Sequence, residues 1–433
     1  MCGITPPPRH NLSGSVALGL SIASVAALFV GLSLLNPEPI ADEGGQHLHA
    51  IAQFYAGDWT LPDHLPMLPT YHALGAILWR ASGPHLVVLR AFSAGMAILA
   101  ILVFGAITAG RDGGLRGHAI LHFCWLPILF PFLAMVYTEA MAMLGLVSAV
   151  YMHVRRRFLL SAAMLLFTCF VRQSNAIWVA FLALWAVSNV CQRSTFPGAR
   201  ASVSAVGKRV RTALRAVCGH AVVLGLFVAF FVYNRGATAV AVEANRPRVN
   251  VAQFYLFALF VVLLWLPVWL LRLRYDVRAL LRWAVAHPAL ALAGFGLAVA
   301  LVCTLANGFA NPHPWNKNTE YIRNLPLIAM SESLRTRLAV GALIVVLAPV
   351  VIRFTVEQEN RRLLGMLWAF SVVYLLPHSL AEPRYYIIPA FFINLLTRYT
   401  PAQARCLTVW YLVASTAIAA FVCLRGHAGG GIW

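Results

Sequence analysis

The chain has 433 residues, of which 61% are hydrophobic and 11% charged. Soluble domains carry about 25% charged residues, so this composition excludes a water-solvated globular protein and points to lipid-solvated helices. The net charge of +19 does not indicate nucleic-acid binding, because the basic residues sit in short clusters between apolar runs, where they set membrane topology.

In chain order, the first apolar run, Ser13 to Leu35, follows Arg9 and His10 and lacks a small-residue cleavage site. It is expected to be a retained span, not a signal peptide. Further spans are expected at 86–109, 118–136, 139–153, 158–172, 174–190, 214–233, 251–272, 286–306, 337–353, 363–379, 384–397 and 407–424, thirteen in all. These make one all-α polytopic transmembrane domain over residues 1–433. The segment Met67 to Arg80 is too short to span. It reads as an interfacial helix within a first loop, 36–85.

Charge gives the orientation. With the N-terminus in the cytoplasm, Arg111/Arg116, Arg155 to Arg157, the Arg193 to Arg215 cluster, Arg272 to Arg282, Arg353/Arg361/Arg362 and Arg398/Arg405 all fall inside. Ten of the fourteen acids fall outside: Glu38, Asp42, Glu43, Asp58, Asp63, Glu139, Glu243, Glu320, Glu332 and Glu382. Both signs agree with the positive-inside rule. The cysteines are scattered without CxxC spacing, which supports neither a metal site nor a disulfide framework. Phosphate-cradling P-loop, Rossmann and HExxH patterns are absent.

Five polar constellations lie on the outward side. Asp42-Glu43 follows the first span in a loop segment, Glu38 to His64, that holds no lysine or arginine. A carboxylate at the membrane boundary can serve as a general base, or Asp42 can simply cap the next helix. Tyr137-Thr138-Glu139 places an acid at the outer end of a span, where charge is a functional candidate by default. Arg172-Gln173-Ser174-Asn175 separates two apolar runs; its arginine suits Glu139 or a phosphate, while a plain polar turn is the competing reading. Asn311-Pro312-His313-Pro314-Trp315, with Lys317 and Glu320, could hold a sugar or pyrophosphate or sit in the aromatic belt. Glu382-Pro383-Arg384-Tyr385-Tyr386 puts a charge pair around a proline. Arg384 there suits an anionic head group, or it pairs structurally with Glu382.

In this order the constellations resemble the polyprenyl-phosphate-glucose-dependent α-1,2-glucosyltransferase family, whose eukaryotic member adds the last glucose to the lipid-linked oligosaccharide. The resemblance rests on Ala41-Asp42-Glu43 with His47, Tyr137-Thr138-Glu139, Arg172-Gln173-Ser174-Asn175-Ala176-Ile177-Trp178, His313-Pro314, and Glu382-Pro383-Arg384-Tyr385-Tyr386-Ile387-Ile388-Pro389. It implies the GT-C fold and a metal-independent, cofactor-free inverting hexosyl transfer. The donor would be a polyprenyl-phosphate sugar, with glucose first and mannose or arabinose open, and the acceptor a glycan or lipid-linked glycan. It also implies that Asp42 is the base, with Glu43 in reserve. His47, Glu139, Arg172, Gln173, Asn175, His313, Glu382, Arg384 and Tyr385 would bind substrate. The chain departs from the family in the loop 234–250, where only Gln253 and Tyr255 beyond it look familiar, and after His313-Pro314, where Lys317-Asn318-Thr319-Glu320-Tyr321 stands. A lipid-linked sugar transporter is the rival class. Arginine bias and short loops suggest a bacterial inner membrane, with the endoplasmic reticulum as the eukaryotic counterpart.

Overall fold

The computed structural model describes residues 13–40, 43–60, 67–111, 113–192, 203–234, 249–311, 313–319, 324–378 and 380–425. Among the described residues there are helices and no strands. The α-helices are α1 (Gly14–Leu35), α2 (His49–Tyr55), α3 (Thr70–Ser82), α4 (Leu86–Ile107), α5 (Gly113–Cys124), α6 (Glu139–Val154), α7 (Phe158–Val171), α8 (Ala176–Gln192), α9 (Val203–Tyr233), α10 (Val251–Leu264), α11 (Leu266–Ala286), α12 (Pro288–Asn307), α13 (Leu325–Glu332), α14 (Leu334–Glu357), α15 (Arg361–Leu375), α16 (Ile387–Leu396) and α17 (Pro401–Arg425).

Among the described residues, six helices are long and apolar enough to cross a membrane, or seven if the bent pair α10–α11 counts as one span. The protein is therefore a multi-pass membrane protein. Its lipid-facing character is plainest on α12, where Leu290, Leu292, Phe295 and Leu297 are all exposed.

Thirteen uniform spans are not what the chain forms. Proline explains two of the differences. The stretch expected to span at 118–136 is helical only to Cys124 and then runs through Pro127 and Pro131 as turns and a short 3-10 segment. Proline lacks the N–H that a continuing helix needs. Irregular backbone at membrane depth survives only when protein covers it, and residues 119–143 are buried throughout. The expected span 251–272 breaks at Trp265, before Pro267, and α11 leaves α10 at 84°. Residues Arg272 to Arg282, expected as a loop, belong to α11. There Asp276 is buried between Arg272 (3.1 Å) and Arg353 of α14 (3.2 Å). The expected span 384–397 is a ten-residue buried helix, α16, led in by a 3-10 turn at Pro383–Tyr386. At about 1.5 Å per residue it covers roughly 15 Å, half a bilayer core. The segment 67–80, expected as a helix at the membrane surface, is helical from Thr70, where α3 begins.

Three long helices define two ends of the bundle. α1 starts beside Arg116, against which a side chain at Gly14 would press, and ends where its Leu32 carbonyl accepts from Arg90. α4 runs back from Arg90 to Gly105, whose carbonyl accepts from Arg116. α17 runs from the Arg116 end to the Arg90 end, where the Cys423 carbonyl accepts from Asn36. The 21 residues from Arg90 to Arg111 rise about 30 Å, one bilayer core.

α6 packs tightly on α7. A Cβ on Gly145 would lie 2.5 Å from the Thr168 hydroxyl and 3.0 Å from the Phe167 ring, the close approach that small residues allow between membrane helices. Gly145→Val is expected to lower the melting temperature of the purified protein, with an overpacking cost of about 1–3 kcal/mol; an unchanged melting curve would show that this contact can relax.

Candidate active site

The site is assembled on a buried ion pair. Arg90, in the second turn of α4, and Glu43, at the start of a π-type turn spanning Glu43–Leu48, are both almost fully buried. All five guanidinium N–H groups find acceptors. Nε and Nη2 donate to Glu43 Oε1 (3.2 Å) and Oε2 (2.6 Å). Nη1 donates to the carbonyls of Leu32 (3.1 Å) and Asn36, and Nη2 also to that of Glu38 (3.2 Å). The carboxylate accepts further from the amides of Ile40 (3.0 Å) and Val136 (2.8 Å). Such complete satisfaction offsets the desolvation that makes buried pairs costly. It joins the end of α1, the loop after it, α4 and the segment that leads into Tyr137. Both Glu43 oxygens are therefore occupied. Asp42 precedes Glu43 and lies outside the described residues, as do residues 235–248 and Glu320 to Arg323.

The π-type turn carries His47 inward. Its Nδ1 lies 3.0 Å from Nε2 of His72 on α3, and the rings stack at 5.2 Å. Tyr71, beside His72, shares a hydrogen bond of 2.9 Å with Ser93 of α4. Burial pushes the His72 pKa down to about 3. Burial lowers His47 further still, helped by His72 and by the charges of Arg384 and Arg172. Both imidazoles are thus neutral at physiological pH, with one N–H shared between them. Neither His47 Nε2 nor His72 Nδ1 has a hydrogen-bond partner among the described residues.

Beyond His47 stands Tyr137, its ring centre 4.8 Å away. The Arg384 guanidinium lies 5.9 Å from the Tyr137 ring. Arg384 is ion-paired with Glu382 across the 3-10 turn that opens α16. Arg172, at the end of α7, is ion-paired with Glu139 at the first turn of α6 and lies 5.6 Å from the Tyr385 ring. His378 closes this side, with Nδ1 2.7 Å from the Tyr374 carbonyl and its ring 4.6 Å from Tyr385. Burial lowers the His378 pKa to about 4. It also lowers that of His313, which Glu382 opposes, so His313 is within electrostatic reach of that acid. Two neutralised guanidinium–carboxylate pairs, buried tyrosines and neutral imidazoles thus face one another.

Six of the sequence-predicted residues, His47, Glu139, Arg172, Glu382, Arg384 and Tyr385, come together here, with His313 at the edge. Two serve the frame. Gln173 Oε1 accepts from the Leu68 amide (3.4 Å), tying the first loop to the α7–α8 corner. Asn175 donates to the Thr168 carbonyl (3.4 Å) within that corner. The familiar Gln253 receives the Tyr386 hydroxyl (2.8 Å) and donates to the Leu380 carbonyl (2.6 Å), holding the 380–386 turn. Asn316 supports the same turn by accepting from the Ala381 amide (3.1 Å). Sequence reasoning misses Arg90, His72, Tyr374 and His378. Arg90 carries a signal, as a lone cation inside an apolar span; the others have none at the level of pattern.

The fold and this site define a polytopic membrane protein with a buried ionic cluster at one end of its helices. The model of the DIE2/ALG10 family matches residues 36–395, a range that contains every residue of the cluster, and the chain belongs to that family. It is accordingly a hexosyltransferase, a glucosyltransferase of glycan biosynthesis. No curated protein and no solved structure matches the chain significantly.

Two outcomes follow from this geometry. Arg90→Met strands the buried Glu43 carboxylate and is expected to destabilise the protein by about 3–5 kcal/mol, read as a fall in melting temperature; a shift within error would refute the frame role of the pair. The lowered pKa of His72 makes its neutral form the native one. That contribution is complete above the unfolded value of about 6.5 and is lost as pH falls from there toward 3. The melting temperature should therefore drop between pH 7 and pH 4, and less steeply in His72→Gln. Equal slopes in the two proteins would contradict the assignment.

Proposed function

We propose that this protein transfers glucose, with inversion, from a polyprenyl-phosphate donor to a glycan or lipid-linked acceptor on the outer face of the membrane. The observation that carries the reading is that Arg172–Glu139 and Arg384–Glu382 lie together close to His47, near enough for both cations to act on its ring. Arginine's planar fork suits phosphate oxygens. The paired acids hold the two cations in place before substrate arrives, so little reorganisation is needed as charge builds on the leaving phosphate.

Asp42 is the proposed base. Its neighbour Glu43 has both oxygens committed to Arg90 and to backbone amides, which fits Glu43 to positioning rather than proton transfer. Asp42 would take the proton of the acceptor hydroxyl as that oxygen attacks the anomeric carbon. The bond to phosphate breaks on the opposite face of the sugar, which inverts its configuration. The phosphate leaves as an anion and needs no general acid, so one carboxylate with two guanidinium groups is sufficient. The charge distribution supports the outer face: ten of the fourteen acids, Glu43, Glu139 and Glu382 among them, fall on the side expected to face outward, and Arg111 lies about 30 Å from Arg90 along α4.

Incubation of purified protein with radiolabelled polyprenyl-phosphate-glucose and cell-envelope glycans is expected to give labelled acceptor. Asp42→Asn, which keeps size and removes basicity, should lower turnover by about 10²–10⁴-fold with little change in melting temperature. Near-native turnover in Asp42→Asn would overturn the base, and translocation of label without a new glycosidic bond would favour the transporter class.

A further inference from the structure

At the far end of the bundle lies a polar hollow. It has a volume of about 470 Å³ and is lined by Arg111, His118, His122, Arg398, Tyr399 and Gly110, among others. This volume is in the range of small-molecule sites, about 300–1,000 Å³. The hollow is built where α4 ends, α5 begins, and the 398–400 turn connects α16 to α17.

Its charge is one-sided. No lining residue is an acid. Glu359 pairs with Arg398 on the exposed rim, and Asp112 lies outside the described residues. Arg111 reaches inward and donates to the Leu395 carbonyl. Burial lowers its pKa, and the charge of Arg398 acts in the same direction. His118 and His122 both reach the Thr408 hydroxyl, at 2.8 and 2.9 Å. The positive-inside rule accounts for arginines in a loop, but not for a half-buried guanidinium turned inward and a second arginine lining one cavity. Arg398 already meets Glu359 at the exposed rim, so the inner cation of the hollow is Arg111.

We propose that this hollow binds a phosphate monoester, carried by a membrane lipid head group or by a soluble small molecule, on the membrane face opposite the transfer site. Two arginines offer forked donors to phosphate oxygens, and the hollow lies roughly one bilayer core from Arg90, at head-group level. The site is separate from the donor-phosphate cluster at Arg172 and Arg384 and does not depend on the function proposed above.

The test uses the full-length protein in detergent, with melting temperature followed against added phosphatidic acid, phosphatidylcholine or glycerol 3-phosphate. Two variants accompany it. Arg398→Glu reverses a charge at an exposed position. Gly110→Leu fills the hollow without changing charge, because a Cβ there would meet nothing within 4 Å. Phosphatidic acid or glycerol 3-phosphate should raise the wild-type melting temperature saturably, as a ligand specific to the folded state does. Phosphatidylcholine should not. Both variants should weaken that binding by roughly tenfold, about the loss of one charge-assisted contact, while keeping glucosyl transfer. A shift with phosphatidic acid alone identifies a lipid head group as the source; a shift with glycerol 3-phosphate alone identifies a soluble phosphate. No saturable shift with either, or equal shifts in wild type and both variants, overturns the proposal.

Discussion

The buried pair between Arg90 and Glu43 is the contact on which the rest of the site depends. A guanidinium with five donors meets five acceptors drawn from α1, the first loop and Glu43. Glu43 in turn receives the Val136 amide. This node ties together by hydrogen bonds the end of α1, the first loop and the irregular buried segment after α5. With it, the chain beside Asp42 and the chain leading into Tyr137 and Glu139 are fixed to one another. The arrangement also commits one of two adjacent acids, Glu43, to the frame, and Asp42 beside it is the proposed base.

The irregular backbone follows from the same constraint. Sites inside membranes need polar groups, and helices that span uniformly present few of them. Here prolines interrupt the apolar runs at Pro127, Pro131 and Pro267, and a short half-helix, α16, replaces a full crossing. Each interruption is covered by protein, as the absence of water in a bilayer requires. The turn that opens α16 brings Glu382, Arg384 and Tyr385 to the level of Arg172 and Glu139. Breaking the helices is thus how the fold delivers charge to depth.

Much of this was legible in the sequence. Polar residues in long apolar context are costly, so Glu139, Arg172 and the Glu382 to Tyr385 run stand out, and the structure gathers them. That the segment 67–80 is helical was also readable, and α3 forms there from Thr70. Three things were not. Hydropathy treats every apolar run as a span, so it cannot separate a lipid-facing helix such as α12 from the covered, proline-broken run after α5. Glu43 and Arg90 are 47 residues apart, and no local pattern says that they meet. The partnership of His47 with His72 depends on how α3 folds back over the first loop, which is a tertiary fact. Asn175 illustrates the converse: it belongs to the most distinctive motif, yet its side chain holds the α7–α8 corner.

The central claim is that the two guanidinium–carboxylate pairs beside His47 receive the phosphate of a lipid-linked sugar. A structure of the protein with a non-hydrolysable polyprenyl-phosphonate glucose analogue tests it most directly. The account predicts phosphonate oxygens within hydrogen-bonding distance of both Arg172 and Arg384, with the anomeric carbon on the side of the first loop. Phosphonate bound away from both arginines, with Arg172–Glu139 and Arg384–Glu382 unchanged, would contradict it.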